Sequence, residues 1–90
     1  MSQVRASHIL VPTQMQITGI ETCVKNGENF AELARNNSTC PSKANGGDLG
    51  LFSRGMMVQP FENVAFNLNV GEVSAPVQTQ FGWHLIQRTA

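Results

Sequence analysis

Apolar and polar side chains alternate over residues 3–11, a pattern that predicts a first β-strand ending at Pro12. Side chains at every second position of a strand share a face. One face of this predicted strand carries four residues: Val4, Ala6, His8 and Leu10. His8 therefore lies on a mainly apolar face, where a polar imidazole requires an explanation.

Two helices are predicted next, because apolar residues recur at spacings of three and four. The first lies within residues 13–26 and ends at Asn26-Gly27, a frequent helix stop. The second begins after Asn29, which can cap it, with Glu32 three residues later as in a capping box. This helix ends at residues 36–38, where a polar segment begins.

The second half of the chain is predicted to contain a turn at residues 46–50, a short strand at Leu51-Phe52 and a third helix that begins at Pro60. The apolar stripe of this helix consists of Phe61, Val64, Ala65 and Leu68. Residues 73–78 are expected to be extended, and residues 83–88 form a last strand. This order of elements predicts an α+β fold, in which helices pack on a small, largely antiparallel sheet.

The length and composition predict one folded domain over residues 1–90. Six basic and six acidic residues cancel, and no basic stripe is present, which argues against nucleic acid or an anionic membrane surface as a partner. No apolar run is long enough to span a bilayer, and the first residues lack the apolar core of a secretion signal. We therefore expect a cytoplasmic protein whose two cysteines, Cys23 and Cys40, are reduced.

Residues 40–61 combine a glycine-rich loop with a cluster of large apolar side chains. The members of this cluster are Leu49, Leu51, Phe52, Met56, Met57, Val58 and Phe61. A shaped loop that leads into such a cluster suggests a surface for an apolar ligand, with the Cys40 thiol at its entrance. These residues could equally form part of the core, since methionine fills irregular gaps in protein interiors. The pattern alone leaves both interpretations open.

The two histidines, His8 and His84, each open an apolar strand segment. If the first and last strands are neighbours in the sheet, the two imidazoles could touch, with Cys40 nearby. Three interpretations are open: a buried hydrogen-bonded pair, a thiol–imidazole nucleophile, or part of a zinc site. The close ligand pairs typical of structural zinc are absent from the sequence, so we predict no metal.

Several short motifs occur in order along the whole chain. They include Ser7-His8-Ile9-Leu10-Val11, Cys40-Pro41-Ser42, Gly46-Gly47-Asp48-Leu49-Gly50, Phe52-Ser53-Arg54-Gly55, Pro60-Phe61-Glu62 and Thr79-Gln80-Phe81-Gly82-Trp83-His84. With these motifs at this spacing, the chain resembles the parvulin-type peptidyl-prolyl cis/trans isomerases, in particular the small single-domain members. The resemblance implies a four-stranded, mostly antiparallel sheet surrounded by helices, which agrees with the predicted order of elements.

The resemblance also implies roles for individual residues. The implied catalytic residues are His8, Cys40, Thr79 and His84. The implied substrate-binding residues, which include the pocket for the proline ring, are Leu49, Met57, Val58, Phe61 and Phe81. In the family the histidines and the threonine form one network behind the active site, and the cysteine lies beside the reacting bond.

The implied activity is isomerisation of Xaa-Pro bonds in proline-containing peptides and folding proteins, by a monomer that needs no cofactor. Family members that require a phosphorylated residue before proline carry a basic cluster after the first strand. Residues 12–16 contain no Lys or Arg, and phosphate recognition needs such donors. We predict that no phosphate is required and that the twisted amide is stabilised without a covalent bond. The alternative is a binding or holdase module for unfolded or proline-containing segments, with little catalysis.

Overall fold

A four-stranded sheet with three α-helices and one short 3-10 helix makes up the computed structural model, which describes residues 2–90. The strands are β1 (Gln3–Val11), β2 (Asp48–Ser53), β3 (Val77–Thr79) and β4 (Gly82–Arg88). The α-helices are α1 (Gln14–Lys25), α2 (Phe30–Asn37) and α3 (Gln59–Asn67), and the 3-10 helix is Pro41–Asn45. The predicted α+β fold is confirmed.

The sheet has the order β2-β1-β4-β3, and all neighbouring strands are antiparallel. The first and last long strands, β1 and β4, are therefore the two central ones. In their register Leu10 lies opposite His84, and His8 lies opposite Ile86. Residues that are diagonal across two antiparallel strands remain within reach of long side chains. The topology thus brings His8 and His84 together from the two ends of the chain.

Side-chain caps mark the starts of α1 and α2; Asn29 was predicted from the sequence, and Thr13 was not. Thr13 Oγ1 accepts a hydrogen bond from the backbone N–H of Gln16 (3.2 Å), and Asn29 Oδ1 accepts one from Glu32 (3.0 Å). Each bond satisfies a backbone donor that the first turn of a helix leaves free. The predicted helices are confirmed, and none of those in residues 2–90 is long and apolar enough to cross a membrane.

The sheet separates two apolar clusters. The cluster on the side of α1 and α2 consists of Ile9, Val11, Ile17, Ile20, Phe30, Leu33, Ala34 and Leu85. The cluster on the side of α3 consists of Val4, Ala6, Phe52, Phe61, Ala65 and Ile86. Strand β1 contributes alternate residues to the two clusters, as the period of two requires. His8 shares the face that points to α3.

Strand β4 begins one residue earlier than predicted, at Gly82, and two other strands differ more from the prediction. Strand β2 begins at Asp48 instead of Leu51, so the predicted turn at residues 46–50 is wrong for its last three residues. Asp48 lies opposite Ser7, and its carboxylate accepts a hydrogen bond from Arg5 Nε at 3.1 Å, which holds this segment against β1. Strand β3 is limited to Val77–Thr79, although an extended segment from residue 73 was expected. Proline at position 76 has no N–H for a ladder, and Val73 forms only an isolated bridge to Gln87.

Candidate active site

The two histidines are in direct contact beneath a pocket. His8 Nδ1 and His84 Nδ1 are 2.9 Å apart, and the imidazole rings are nearly parallel, with their centroids separated by 5.1 Å. Both side chains are buried, at 5% and 3% exposure. Such a contact needs a proton from one ring and a lone pair from the other, so the two Nδ1 atoms cannot both be protonated. The first interpretation of the histidines, a buried hydrogen-bonded pair, describes their geometry.

Thr79 extends this pair into a chain of hydrogen bonds. Its Oγ1 lies 2.7 Å from His84 Nε2 and accepts the backbone N–H of Phe81 at 3.2 Å. The chain therefore runs from the β3–β4 turn through Thr79 and His84 to His8. At its far end His8 Nε2 is buried and has no hydrogen-bond partner in residues 2–90. The network fixes both ring orientations at the base of the pocket.

Burial lowers the pKa of both histidines from the ordinary value of 6.5 to about 4. The cause is desolvation, which disfavours the charged imidazolium, and for His8 the charge of His84 lowers the pKa further. At neutral pH both rings are therefore uncharged. They act in the site as hydrogen-bonding groups with apolar faces.

Phe61 connects the histidines to the pocket. It lies on the first turn of α3 and is only 3% exposed. Its ring meets both imidazoles edge to face, with centroids 5.5 Å from His8 and 5.4 Å from His84. Pro60 occupies the first turn of the same helix, where its missing N–H costs no hydrogen bond. The start of α3 thus places an aromatic ring between the network and the open pocket.

Cys40 is placed by the segment that follows α2. Ser38 Oγ accepts hydrogen bonds from the backbone N–H of Leu10 (3.0 Å) and of Cys40 (3.3 Å). The backbone N–H of Thr39 donates to Leu10 O at 2.7 Å. This segment therefore lies beside β1 beyond Ser7, the last β1 residue that pairs with β2. Ser38, buried at 3% exposure, ties the cysteine to the strand that carries His8.

Gly47 allows the glycine-rich loop to approach His8 closely. The backbone N–H of His8 donates to Gly47 O at 2.9 Å, and Gly47 has φ +87°. A Cβ atom at this position would lie 2.3 Å from His8 O, well inside contact distance. Glycine is thus required here by both the backbone angle and the space available.

The pocket encloses about 470 Å³. The residues that line it are His8, Leu10, Thr39, Cys40, Pro41, Leu49, Met56, Met57, Val58, Phe61, Phe81 and His84. None of these is Lys, Arg, Asp or Glu, so the lining is uncharged while the histidines are neutral. The apolar cluster of positions 40–61 is divided among three places: most of its members line the pocket, Phe52 lies in the core, and Leu51 is exposed outside the pocket.

All but one of the nine site residues named from the sequence line this pocket, and the exception, Thr79, reaches it through His84. Four further lining residues are not among these nine: Leu10, Thr39, Pro41 and Met56, of which only Met56 belongs to the apolar cluster named from the sequence. Leu10 could have been found, because it shares the β1 face of His8 at a spacing of two. Thr39 and Pro41 flank Cys40, and Met56 precedes Met57. Their adjacency in sequence to predicted site residues could have identified them. The catalytic and binding roles of the nine residues remain predictions.

The cysteines and acidic residues form no further cluster around the pocket. Cys23 and Cys40 are both free thiols and are partly exposed. Within residues 2–90 no three His, Cys, Asp or Glu side chains lie close enough together to hold a metal ion. The chemistry available in the pocket is therefore that of a thiol, two neutral imidazoles and apolar walls.

Known proteins share this fold and much of this sequence. A family model described as "Rotamase: PPIC-type PPIASE domain" matches residues 8–90. The foldase protein PrsA of Geobacillus sp. (strain WCH70) is 49% identical over 88 residues, which cover 97% of this chain and 32% of PrsA. The crystal structure of PrsA from Bacillus subtilis superposes with a TM-score of 0.95 at 46% identity, covering 98% of this chain and 35% of that one.

A small protein matches over its whole length. The solution structure of NmPin, the parvulin of Nitrosopumilus maritimus, superposes with a TM-score of 0.88 at 44% identity. The match covers 100% of this chain and 98% of NmPin. The chain thus spans about a third of the length of the PrsA relatives and nearly all of NmPin.

Proposed function

The chain belongs to the PPIC-type peptidyl-prolyl isomerase family, the parvulins, and we propose that it accelerates cis/trans isomerisation of unphosphorylated Xaa-Pro bonds in proteins. The observation that carries this proposal is the uncharged pocket of about 470 Å³, whose base is formed by Phe61 and the neutral histidine pair. A proline ring is small, apolar and rigid, and such a pocket can hold it while the preceding carbonyl rotates.

Isomerisation needs no bond to break. Resonance in the planar amide sets a barrier of about 18–20 kcal/mol, and twisting the C–N bond removes that resonance. An enzyme accelerates the exchange when it binds the twisted amide more tightly than either planar form. Apolar walls from Leu49, Met57 and Phe61 would hold the ring, and the less polar surroundings would favour an amide that has lost its charge separation.

Cys40 acts in this proposal through its polarity rather than as a nucleophile. A thiol nucleophile requires a neighbouring base or another cause that stabilises the thiolate. Among residues 2–90 no hydrogen bond joins Cys40 Sγ to His8 or His84; the two imidazoles bond to each other and to Thr79 instead. Cys40 would therefore form a weakly polar edge near the rotating carbonyl, while the histidine network keeps the base of the pocket rigid.

Among the described residues that line the pocket there is no lysine or arginine, which supports a substrate without phosphate. Only Pro12 and Thr13 connect β1 to α1, so there is no long basic loop beside the site. Two large apolar side chains, Met56 (64% exposed) and Phe81 (62% exposed), line the rim instead. We expect neutral or apolar residues before proline to be preferred, because a phosphate would lose hydration here without gaining an arginine or lysine partner.

The physiological partners in this proposal are folding proteins with exposed Xaa-Pro segments. The name of the PrsA relatives, foldase protein, supports a role of this kind. A monomeric state, a cytoplasmic location and the absence of nucleic-acid or membrane binding remain predictions. Sedimentation, cell fractionation and binding assays with DNA and anionic vesicles would test them separately.

Exchange NMR spectroscopy on an Xaa-Pro peptide tests the activity directly. At catalytic protein concentration the wild-type chain should produce cis/trans exchange cross-peaks that the peptide alone lacks on the same timescale. Met57→Ala is the matched variant, because it shortens one partly buried side chain that lines the pocket. It should give weaker exchange cross-peaks than the wild-type chain. A wild-type chain that adds no exchange would contradict the proposal.

The second candidate function is a holdase with little catalysis. Its support is the apolar rim of Met56 and Phe81, which could hold an unfolded segment even where no bond rotates. The same peptide distinguishes the two functions when binding is measured alongside exchange. Binding without exchange would favour the holdase, and exchange at substoichiometric protein would favour the isomerase. A phosphorylated copy of the peptide should be turned over no faster than the plain one.

A further inference from the structure

Glu62 is the only charged side chain that is buried within residues 2–90, at 6% exposure. It lies on the first turn of α3, directly after the pocket residue Phe61. In the sequence it reads as an ordinary acidic residue at a helix start, where it would normally face water. A buried carboxylate is retained only when its oxygens are hydrogen-bonded, so its partners show what it holds.

The partners of Glu62 belong to the connection between β2 and α3. Its Oε1 accepts the backbone N–H of Gly55 at 2.6 Å, and its Oε2 lies 3.4 Å from Arg54 Nη1. The Arg54 guanidinium also lies over the Phe66 ring, 4.4 Å from its centroid. One carboxylate therefore ties two consecutive residues of the connection to the body of α3, by a charge-assisted bond and an ion pair.

The segment tied in this way carries part of the pocket wall. Residues 54–58 contain Met56, Met57 and Val58, all of which line the pocket. Inside the segment, the backbone N–H and the hydroxyl of Ser53 both donate to the Met56 sulfur, at 3.5 and 3.4 Å. These weak bonds shape the turn, but they do not attach it to a helix. At the end of the segment, Val58 O accepts the backbone N–H of Glu62 at 3.0 Å, and at its start the Glu62 carboxylate attaches Arg54 and Gly55 to α3.

We propose that Glu62 is a positioning residue for the proposed isomerase, which fixes residues 54–58 so that Met57 and Val58 form a stable wall of the pocket that Cys40 also lines. The proposal rests on the proposed function. Loss of the attachment would leave the pocket present but its wall loose, and displacements of about 1 Å in a supporting segment can cost large factors in rate. The role depends mainly on the length of the Glu62 side chain, which brings a carboxylate oxygen to the Gly55 N–H. The charge of Glu62 matters less, because Arg54 is exposed and water screens its ion pair with Glu62.

Two conservative substitutions of Glu62 separate the effect of side-chain length from the effect of charge. Glu62→Gln keeps the length of the side chain and an acceptor oxygen for the Gly55 N–H, but removes the charge. Glu62→Asp keeps the charge but shortens the side chain by one carbon–carbon bond, about 1.5 Å. Glu62→Ala removes both. Glu72→Ala is the matched control, because exposed Glu72 accepts the Asn69 N–H at 2.9 Å in a turn that does not line the pocket.

The kinetic measurement is kcat and KM for an unphosphorylated Xaa-Pro peptide. We expect kcat/KM to decrease in the order wild type, Gln, Asp, Ala, with a loss of about tenfold in Glu62→Ala that arises mainly from a raised KM. Glu62→Gln should stay within about threefold of wild type, and Glu72→Ala within about twofold. If Glu62→Ala does not fold, the comparison of Gln with Asp carries the test.

A readout that does not depend on catalysis is the methyl group of Met57. Labelling the four methionines with ¹³C gives few methyl signals, and Met15, 86% exposed on α1, serves as an internal reference. In Glu62→Asp the Met57 methyl should shift and sharpen as the wall becomes mobile, while the Met15 methyl should not change. Hydrogen exchange of the Gly55 amide should accelerate in the same variant.

The outcomes separate failure of this proposal from failure of the proposed function. If the wild-type chain shows no isomerase activity but Met57 and Gly55 respond as expected, the function is wrong and Glu62 still positions the wall. If activity is present and Glu62→Asp leaves both kcat/KM and the Met57 methyl unchanged, the positioning role is refuted. An equal loss of kcat/KM in Glu72→Ala, or a larger loss in Gln than in Asp, also refutes it.

Discussion

Lowering the pH from 7 to 5 is expected to destabilise this fold through its two buried histidines. His8 and His84 have pKa values of about 4 in the folded chain, against 6.5 for an ordinary histidine. Because the folded pKa is the lower one, the unfolded chain binds more protons between these values, and unfolding becomes easier as the pH falls. The stabilisation is complete above pH 6.5 and is lost as the pH approaches 4.

The size of the effect follows from the same shift. Between pH 7 and pH 5 an unfolded histidine becomes almost fully protonated, while one with a pKa of about 4 remains mostly neutral, which costs roughly 2 kcal/mol of stability per residue. For both residues, and allowing for solvent near the pocket mouth, we expect a loss of about 2–4 kcal/mol. Domains of this size have a total stability of roughly 5–13 kcal/mol, so the loss is a large share.

Urea unfolding at constant ionic strength measures this loss, with the single tryptophan, Trp83, as the fluorescent probe. Few other groups interfere above pH 5, because carboxylates titrate mainly at lower pH; Asp48, for example, has its pKa held below its ordinary value of 3.8 by the hydrogen bond from Arg5. A single-histidine variant, His8→Gln, should show about half the dependence on pH.

The same histidines can be followed directly by NMR, since the chain has only two. Neither ring should titrate with a midpoint near 6.5 while the chain is folded. A free energy of unfolding that changes by less than about 1 kcal/mol from pH 7 to pH 5 would refute the reasoning. A folded-state midpoint near 6.5 for His8 or His84 would refute it as well.

Three further predictions concern the pocket and the elements that hold it. Met57→Ala should lower kcat/KM by about tenfold and Cys40→Ser by less, because contact with the proline ring outweighs the thiol; the reverse order in the exchange assay would indicate a nucleophilic cysteine. Gly47→Ala should destabilise the fold by more than about 2 kcal/mol in urea unfolding. Gly50→Ala should cost only about 1 kcal/mol, because position 50 has φ +73° but open space around the new Cβ. Equal effects would show that the close approach of Gly47 to His8 is unimportant. Thr79→Val should cost about 1–3 kcal/mol and reduce activity while Thr79→Ser restores both, and a Val variant that behaves like wild type would remove the threonine from the network.

Local patterns were sufficient for most of the elements. The alternation in residues 3–11 predicted β1 to the residue, and the predicted cap Asn29 stands where α2 begins. The cap of α1, Thr13, was not predicted. Strand β2 was underestimated because Asp48-Leu49-Gly50 contains residues typical of turns. What extends the strand is its antiparallel partner β1, and no local pattern reports a partner 41 residues away, as for the pair Ser7 and Asp48.

In the site, too, some features could be predicted from the sequence and others depended on the tertiary structure. The resemblance named His8, Cys40, Thr79 and His84, and the face shared by His8 and Leu10 could be read from a spacing of two. Glu62 was named from the sequence only as part of a motif, and its burial could not be predicted, because an acid near a helix start is usually exposed. Its burial depends on the tertiary contacts that bring Arg54 and Gly55 to its carboxylate.

The sequence by itself determined the secondary structure, the α+β class and the residue types available for chemistry, because alternation, helical spacing and capping are properties of near neighbours. Only the tertiary structure decided which of these residues meet. The 2.9 Å contact of His8 with His84 depends on the pairing of β1 with β4, and the lowered pKa values depend on how much water that packing excludes. Burial and register arise from the whole chain, so no short stretch of sequence carries them.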